Sequence, residues 1–312
     1  MLKFFVIKMR KVVDNVYIVK PFDPNVQGSC VYMIDTKSDD GLVLIDAGMD
    51  IELLRVIEED GFDLKEIKHC LITHGHIDHY GACHKLKDFN KDIKFYVHEL
   101  DAEDNELKIK DPYIAQIYAN YKYEPVKITN KIKNDNEILK FGNYEFKCIH
   151  IPGHTPGSVA YLLETGGKRI LFGGDLPGIA INIRGGDLDA YLKSMPKLLG
   201  LNLDILCEGH EDLIQPAEKV LKFIKAYMEF NKSLNIIVLK NPSDSKILLD
   251  LASLSFEVGF YENALDFCHY LLEIEPDNIK AKKLLEETSK YNPPKIDWIK
   301  NLINQTADSR DT

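Results

Sequence analysis

Thr73-His74-Gly75-His76-Ile77-Asp78-His79-Tyr80-Gly81 places four metal-binding side chains, His74, His76, Asp78 and His79, within six residues. The stretch continues directly from the β-type run Lys68 to Thr73, so it leaves the end of a strand. In extended or loop conformation side-chain direction repeats every two residues, and His74 and His76 reach one ion from the same side. Asp78 and His79 point elsewhere. If the chain turns into a helix there, they are placed to serve a second ion a few ångströms away, as two-metal hydrolysis requires.

Three further pieces lie downstream, each carrying one ligand-type residue in a Gly- or Pro-rich turn after a β-type run. They are Pro152-Gly153-His154-Thr155-Pro156-Gly157, Phe172-Gly173-Gly174-Asp175 and Glu208-Gly209-His210-Glu211. Upstream, Leu44-Ile45-Asp46-Ala47-Gly48 does the same with an aspartate. Such turns let backbone approach an ion without side-chain obstruction.

The order DAG, HxHxDH, GHTPG, GGD and GHE resembles that of the metallo-β-lactamase superfamily, over roughly residues 10 to 232. The resemblance implies an α/β fold, an αββα sandwich with its site at the strand ends along one edge. It also implies that His74, His76 and His154 hold a first metal, that Asp78, His79 and His210 hold a second, and that Asp175 bridges them. Asp46 then orients a ligand histidine, and Asp78 assists proton transfer. The expected cofactors are two divalent metal ions, zinc first, with iron and manganese as alternatives. Two cations sharing Asp175 would hold a bridging water whose pKa falls toward about 7, giving a hydroxide nucleophile at neutral pH. The other histidines, His69, His84, His98, His150 and His269, lack such context and are read as structural.

Composition narrows the partners. The 312-residue chain carries a net charge of −10 and only five arginines, Arg10, Arg55, Arg169, Arg184 and Arg310, which argues against a surface that tracks phosphates. The expected partner is a small-molecule substrate, with no nucleic acid and no membrane. The longest apolar stretch near the N-terminus, Phe4 to Ile7, is far below a signal-peptide core of roughly 7 to 15 residues, so a cytoplasmic location is expected. The dispersed Cys30, Cys70, Cys83, Cys148, Cys207 and Cys268 form no CxxC pair and read as buried reduced thiols.

Strands are expected at Val16 to Val19, Cys30 to Ile34, Leu42 to Ile45, Lys68 to Thr73, Lys94 to Val97, Tyr144 to Ile149, Ser158 to Leu163 and Arg169 to Phe172. A helix is expected from Asp50, its N-cap, to Asp60, with Gly61 as the stop. Residues 100 to 129, tyrosine-rich toward the end (Tyr113, Tyr118, Tyr121, Tyr123), read either as a lid over the site or as ordinary aromatic packing.

After Asn241-Pro242-Ser243-Asp244 no β-type run remains, which sets the expected domains at 1–240, catalytic, and 241–312, a small all-α segment. Ser245 to Asn278 resembles one tetratricopeptide repeat through Leu248, Leu251, Ala252, Gly259, Tyr261, Ala264, Leu265 and Pro276. One repeat and a fraction cannot form a peptide-binding groove, so the segment packs on the catalytic domain, dimerises or receives a partner protein.

Within the superfamily the chain departs from several branches. A flavodiiron reductase would carry glutamate at position 76 and a flavodoxin domain, whereas His76 stands there. A glyoxalase II would follow GHE with tyrosine and an asparagine-aromatic stretch; here Asp212-Leu213-Ile214-Gln215-Pro216 follows, which argues against glutathione thioesters. The remaining expectation is metal-dependent hydrolysis of a small ester, thioester or lactone. The alternatives are a mono-iron persulfide dioxygenase, which retains the same motifs, and a non-catalytic scaffold acting through the tail.

Overall fold

The apolar runs of the first two thirds pair into two mixed sheets. The structure, a computed structural model, describes residues 9–19, 28–109, 115, 119, 123–176, 178, 180 and 185–308. The first sheet joins β1 (Arg10–Val13), β2 (Val16–Val19), β3 (Val31–Asp35), β4 (Leu42–Ile45), β5 (Ile67–Leu71), β6 (Lys94–His98) and β9 (Asn130–Ile132) in the order β1-β2-β3-β4-β5-β6-β9. It is antiparallel as far as β4 and parallel from there to β9. The second sheet runs in sequence order from β10 (Ile138–Phe141) through β11 (Tyr144–His150), β12 (Val159–Thr165) and β13 (Lys168–Gly174) to β14 (Ile205–Glu208), with only the last pair parallel. Two short strands, β7 (Glu106–Leu107) and β8 (Val126–Lys127), pair with each other.

Alternation along the strands divides the core. Tyr32, Ile34, Val43 and Ile45 of the first sheet share a buried cluster with Phe146, Tyr161, Ile170 and Phe172 of the second. Their strand neighbours Val31, Met33 and Leu44 turn the other way, onto Leu53, Leu54 and Ile57 of α1 (Ile51–Glu59) and Leu86 of α3 (Cys83–Phe89). A sheet covered on both faces needs apolar residues at consecutive positions, which is why these strands read as unbroken runs. Asp50 caps α1 as expected, accepting from the Glu52 N–H at 3.1 Å, and Gly61 beyond it has φ +91°.

The expected strands form, with ends moved by one or two residues. The β5 run stops at Leu71, two residues earlier than expected, and the Thr73 N–H bonds the Asp46 carboxylate instead of a strand, ahead of the short α2 (Ile77–Tyr80). Of the proposed lid, residues 110–114, 116–118 and 120–122, including Tyr113, Tyr118 and Tyr121, fall outside the described residues. Tyr123 packs partly buried against the core beneath α1 and α3. All six cysteines are buried thiols.

The remaining helices are α4 (Leu188–Leu199), α5 (Ala217–Leu239), α6 (Ser245–Val258), α7 (Tyr261–Ile274), α8 (Ile279–Ser289) and α9 (Trp298–Asp308). The chain divides into two compact units, residues 1–178 with 189–221, and residues 179–188 with 222–312. In the second unit Asp244 caps α6 through the Ile247 N–H, and Gly259 ends it at φ +94°. Leu248, Leu251, Ala252, Ala264 and Leu271 are buried. Among the described residues no helix is long and apolar enough to cross a membrane.

Candidate metal centre

All the sequence-predicted ligands lie in the first unit, and they converge. His74 and His76 leave the loop after β5, His154 follows β11, Asp175 follows β13, and His210 follows β14. Asp78 and His79 sit in the single turn of α2. The structure gathers His74, His76, His154 and Asp175 into one group, and Asp78, His79 and His210 into a second. His69, His84, His98, His150 and His269 belong to neither.

In the first group His76 Nδ1 lies 3.1 Å from His74 Nε2 and 2.9 Å from His154 Nε2. Asp175 Oδ2 stands 3.8 Å from His74 Nε2 and 3.5 Å from His154 Nε2. In the second group Asp78 Oδ2 is 3.8 Å from His79 Nε2 and 3.3 Å from His210 Nε2. The other oxygen of Asp175, Oδ1, faces this pair at 3.0 and 3.4 Å. One carboxylate therefore presents one oxygen to each group.

Two neighbours set the histidine tautomers. Asp46 Oδ1 accepts from the Thr73 N–H, and its Oδ2 accepts from the Thr73 hydroxyl and from His79 Nδ1, each at 2.8 Å. A proton on Nδ1 leaves the His79 Nε2 lone pair directed at the centre. With its own proton committed to Asp46, the Thr73 hydroxyl accepts from His74 Nδ1 at 3.1 Å, which frees His74 Nε2 in the same way. Asp46 does this at φ +57°, a left-handed backbone that a non-glycine residue holds only where its surroundings enforce it.

The centre fits cations. His79 Nε2 and Asp175 Oδ1 are buried and make no hydrogen bond although they lie 3.0 Å apart, the arrangement expected of two lone pairs aimed at a common ion. Burial opposes charge on His79, yet Asp175, Asp46 and Asp78 hold its pKa well above the usual histidine range, so the Nε2 proton they attract is the one a divalent cation would replace, freeing that lone pair. The same competition holds His210 up, chiefly through Asp175. His74 goes the other way, pushed well down by burial and by the charge of His79. Burial also opposes ionisation of Asp78, but His79 and His210 bring its carboxyl down to about 2. Buried carboxylates that draw protons onto histidines provide the charge a divalent cation would neutralise.

Packing keeps the space clear. A Cβ at Gly209 would collide with Asp175 Oδ1 and come within 2.9 Å of the His79 ring. His74 and His79 are almost fully enclosed, whereas 42% of the His210 side chain is exposed, so the centre opens on the His210 side. Glu208 and Asp101 were not among the sequence candidates. The buried Glu208 carboxylate accepts from the His210 and Glu211 N–H groups at 2.6 Å, and burial together with Asp175 lifts its pKa to about 7. Its place in the Glu208-Gly209-His210 motif was the signal that could have found it. Asp101 accepts from Gly75, Thr155 and Gly157, and no motif marks it.

Two facing mixed sheets with helices outside, and His/Asp groups at the strand ends, define an αββα metal-site protein. The chain belongs to the metallo-beta-lactamase superfamily, whose family pattern matches residues 24–221. A protein of Haemophilus influenzae named hydroxyacylglutathione hydrolase GloC is 31% identical over 191 residues, 59% of this chain and 85% of that one. A probable metallo-hydrolase of Bacillus subtilis, YqgX, is 29% identical over 197 residues, again 59% and 85%. BJP-1, a subclass B3 metallo-beta-lactamase of Bradyrhizobium japonicum, shares the fold with a TM-score of 0.58 at 20% identity, over 73% of this chain and 93% of that one. The chain is a metal-dependent hydrolase of this superfamily.

Proposed function

We propose that the chain hydrolyses a small carbonyl ester, thioester or lactone with two divalent cations, His74, His76 and His154 holding the first, Asp78, His79 and His210 the second, and Asp175 both. The observation that carries this reading is the division of Asp175, with Oδ2 toward the first group and Oδ1 toward the second. When bound, the cations supply Lewis acidity at the substrate oxygen and acidify a water toward a pKa of about 7. Imidazole nitrogen with carboxylate oxygen suits zinc, with iron and manganese as the next candidates.

The protein's own groups orient and hold protons. Asp46 fixes the His79 ring through Nδ1, acting as a positioning residue. Asp78, 3.3 Å from the exposed His210, is read as a ligand of the second ion that also assists proton transfer. The complete ligand groups favour catalysis over a scaffold role, and the metal count separates a two-ion hydrolase from a mono-iron persulfide dioxygenase.

The acidic chain disfavours phosphodiesters and nucleic acid. Among acyl substrates, the relative named hydroxyacylglutathione hydrolase makes thioesters the first class to assay, although the residues after Glu208-Gly209-His210 lack the expected glutathione contacts. The helical segment from Ser245 is read as a tetratricopeptide-like appendage that packs, dimerises or receives a partner.

The test is a metal-loaded screen of thioesters, lactones, simple esters and phosphodiesters, with metal content measured on the same sample. About two ions per chain and highest kcat/KM on a carbonyl substrate are expected. Preferential turnover of phosphodiesters would overturn the substrate class. A single iron with oxygen consumption on a persulfide would overturn the hydrolytic reading.

A further inference from the structure

Asp101 lies in the turn after β6, outside both ligand groups, and only 8% of it is exposed. Its Oδ2 accepts from the Gly75 N–H and from the Thr155 hydroxyl, and its Oδ1 from the Gly157 N–H, all at 2.7 Å. Gly75 is the residue between His74 and His76, and Thr155 is the residue after His154. One carboxylate thus ties the two loops that carry the histidines of the first group.

The surrounding residues are shaped to this contact. A Cβ at Gly75 would stand 3.2 Å from Asp101 Cβ, and one at Gly157 would stand 2.6 Å from its Cγ and Oδ1. Both motif glycines therefore leave room for Asp101. The turn is held by its own Asp101 N–H to the His98 carbonyl at 3.0 Å. The His98 ring stacks on His150 at 4.0 Å, and His150 Nε2 lies 2.9 Å from the Pro156 carbonyl. The His154 loop is braced from Asp101 on one side and from His150 on the other.

We propose that Asp101 is the positioning residue of the first metal site, fixing the His74–His76 loop against the His154 loop so that their three ring nitrogens converge. This rests on the two-ion reading above. Charged acceptors make stronger and shorter hydrogen bonds than neutral ones, and Asp101 receives one donor from the His74–His76 loop and two from the His154 loop. The second group does not touch Asp101, so its effect is selective.

The experiment is a zinc titration of the full chain against a chromophoric chelator, with metal content measured alongside, for wild type, Asp101→Asn and Thr155→Val. Groups that orient ligands typically alter metal affinity by about 10- to 100-fold. Asp101→Asn should weaken one of the two binding steps by about that factor and leave the other unchanged, with a wild-type circular dichroism spectrum. In a His210→Ala background, where only the first group is intact, the full loss should persist. Thr155→Val, which removes one donor, should show the same selectivity to a smaller extent and covers the case in which Asp101→Asn does not fold. Two wild-type binding steps in either variant, or equal weakening of both, would overturn the inference. A wild-type chain that binds no zinc would overturn the two-ion reading and this inference together.

Discussion

His79 Nδ1 lies 2.8 Å from Asp46 Oδ2 in a pair that is almost entirely enclosed. That contact converts a histidine into a directed donor, because the proton held on Nδ1 leaves Nε2 free for the centre. Asp46→Asn should weaken binding of the second ion by about 10- to 100-fold, as read by chelator competition. The first ion should retain its affinity to a greater degree, since Asp46 reaches His74 only indirectly, through the Thr73 hydroxyl. Equal affinities in variant and wild type would show that the ring is held by packing alone.

On the two-ion proposal, replacing His79 or His210 with alanine should lower the metal content from about two ions per chain toward one and reduce kcat by several orders of magnitude, since the reaction would lose one of two Lewis acids. Elemental analysis with initial-rate kinetics checks it. A variant that keeps two ions would place the second site elsewhere.

Gly209→Ala tests the close approach at the centre. The added methyl would meet Asp175 Oδ1 and the His79 ring, so Asp175 must shift. Overpacking of this kind costs about 1–3 kcal/mol, and the shared carboxylate should lose its hold on the ions. The expected result is a lower Tm together with metal content below that of wild type; unchanged metal binding would count against the packing argument.

The pH dependence of stability carries a contribution from Asp266, far in sequence from the metal motifs. Burial raises its pKa from 3.8 to about 6, despite the hydrogen bond from the Ile299 N–H at 2.7 Å. A carboxyl with a raised folded-state pKa stabilises fully below its unfolded value and loses that contribution as pH rises through the folded one. Wild type should therefore lose up to about 2 kcal/mol between about pH 4 and 6 relative to Asp266→Asn, which stays neutral and keeps an acceptor for Ile299. Urea unfolding of both proteins across that range gives the difference directly. Parallel profiles would exclude Asp266 as the source.

Much of the centre was legible in order along the chain. The HxHxDH stretch, the glycine-rich turns around His154, Asp175 and His210, and the Asp50 cap of α1 depend on neighbours a few residues apart, which periodicity and turn chemistry encode. The apolar runs of β3, β4 and β13 were legible for the same reason, since a strand covered on both faces needs apolar residues throughout. A strand such as β1, with Arg10 and Lys11 at its start, carries too little pattern to be read alone.

Sequence by itself determined the family of this protein, the identity of its ligand-type residues and the alternation of strand and helix, because those features are local or follow a fixed motif order. The family resemblance also implied that these residues divide around Asp175, but only the tertiary structure gave the geometry, with Oδ2 toward His74 and His154 and Oδ1 toward His79 and His210. Only it brought Asp101 to Gly75, Thr155 and Gly157, across 26, 54 and 56 residues. Such contacts arise when separate strand ends meet at one edge of a sandwich. No spacing within a segment records that meeting, because its energy resides in the packing of the two sheets rather than in any stretch of chain.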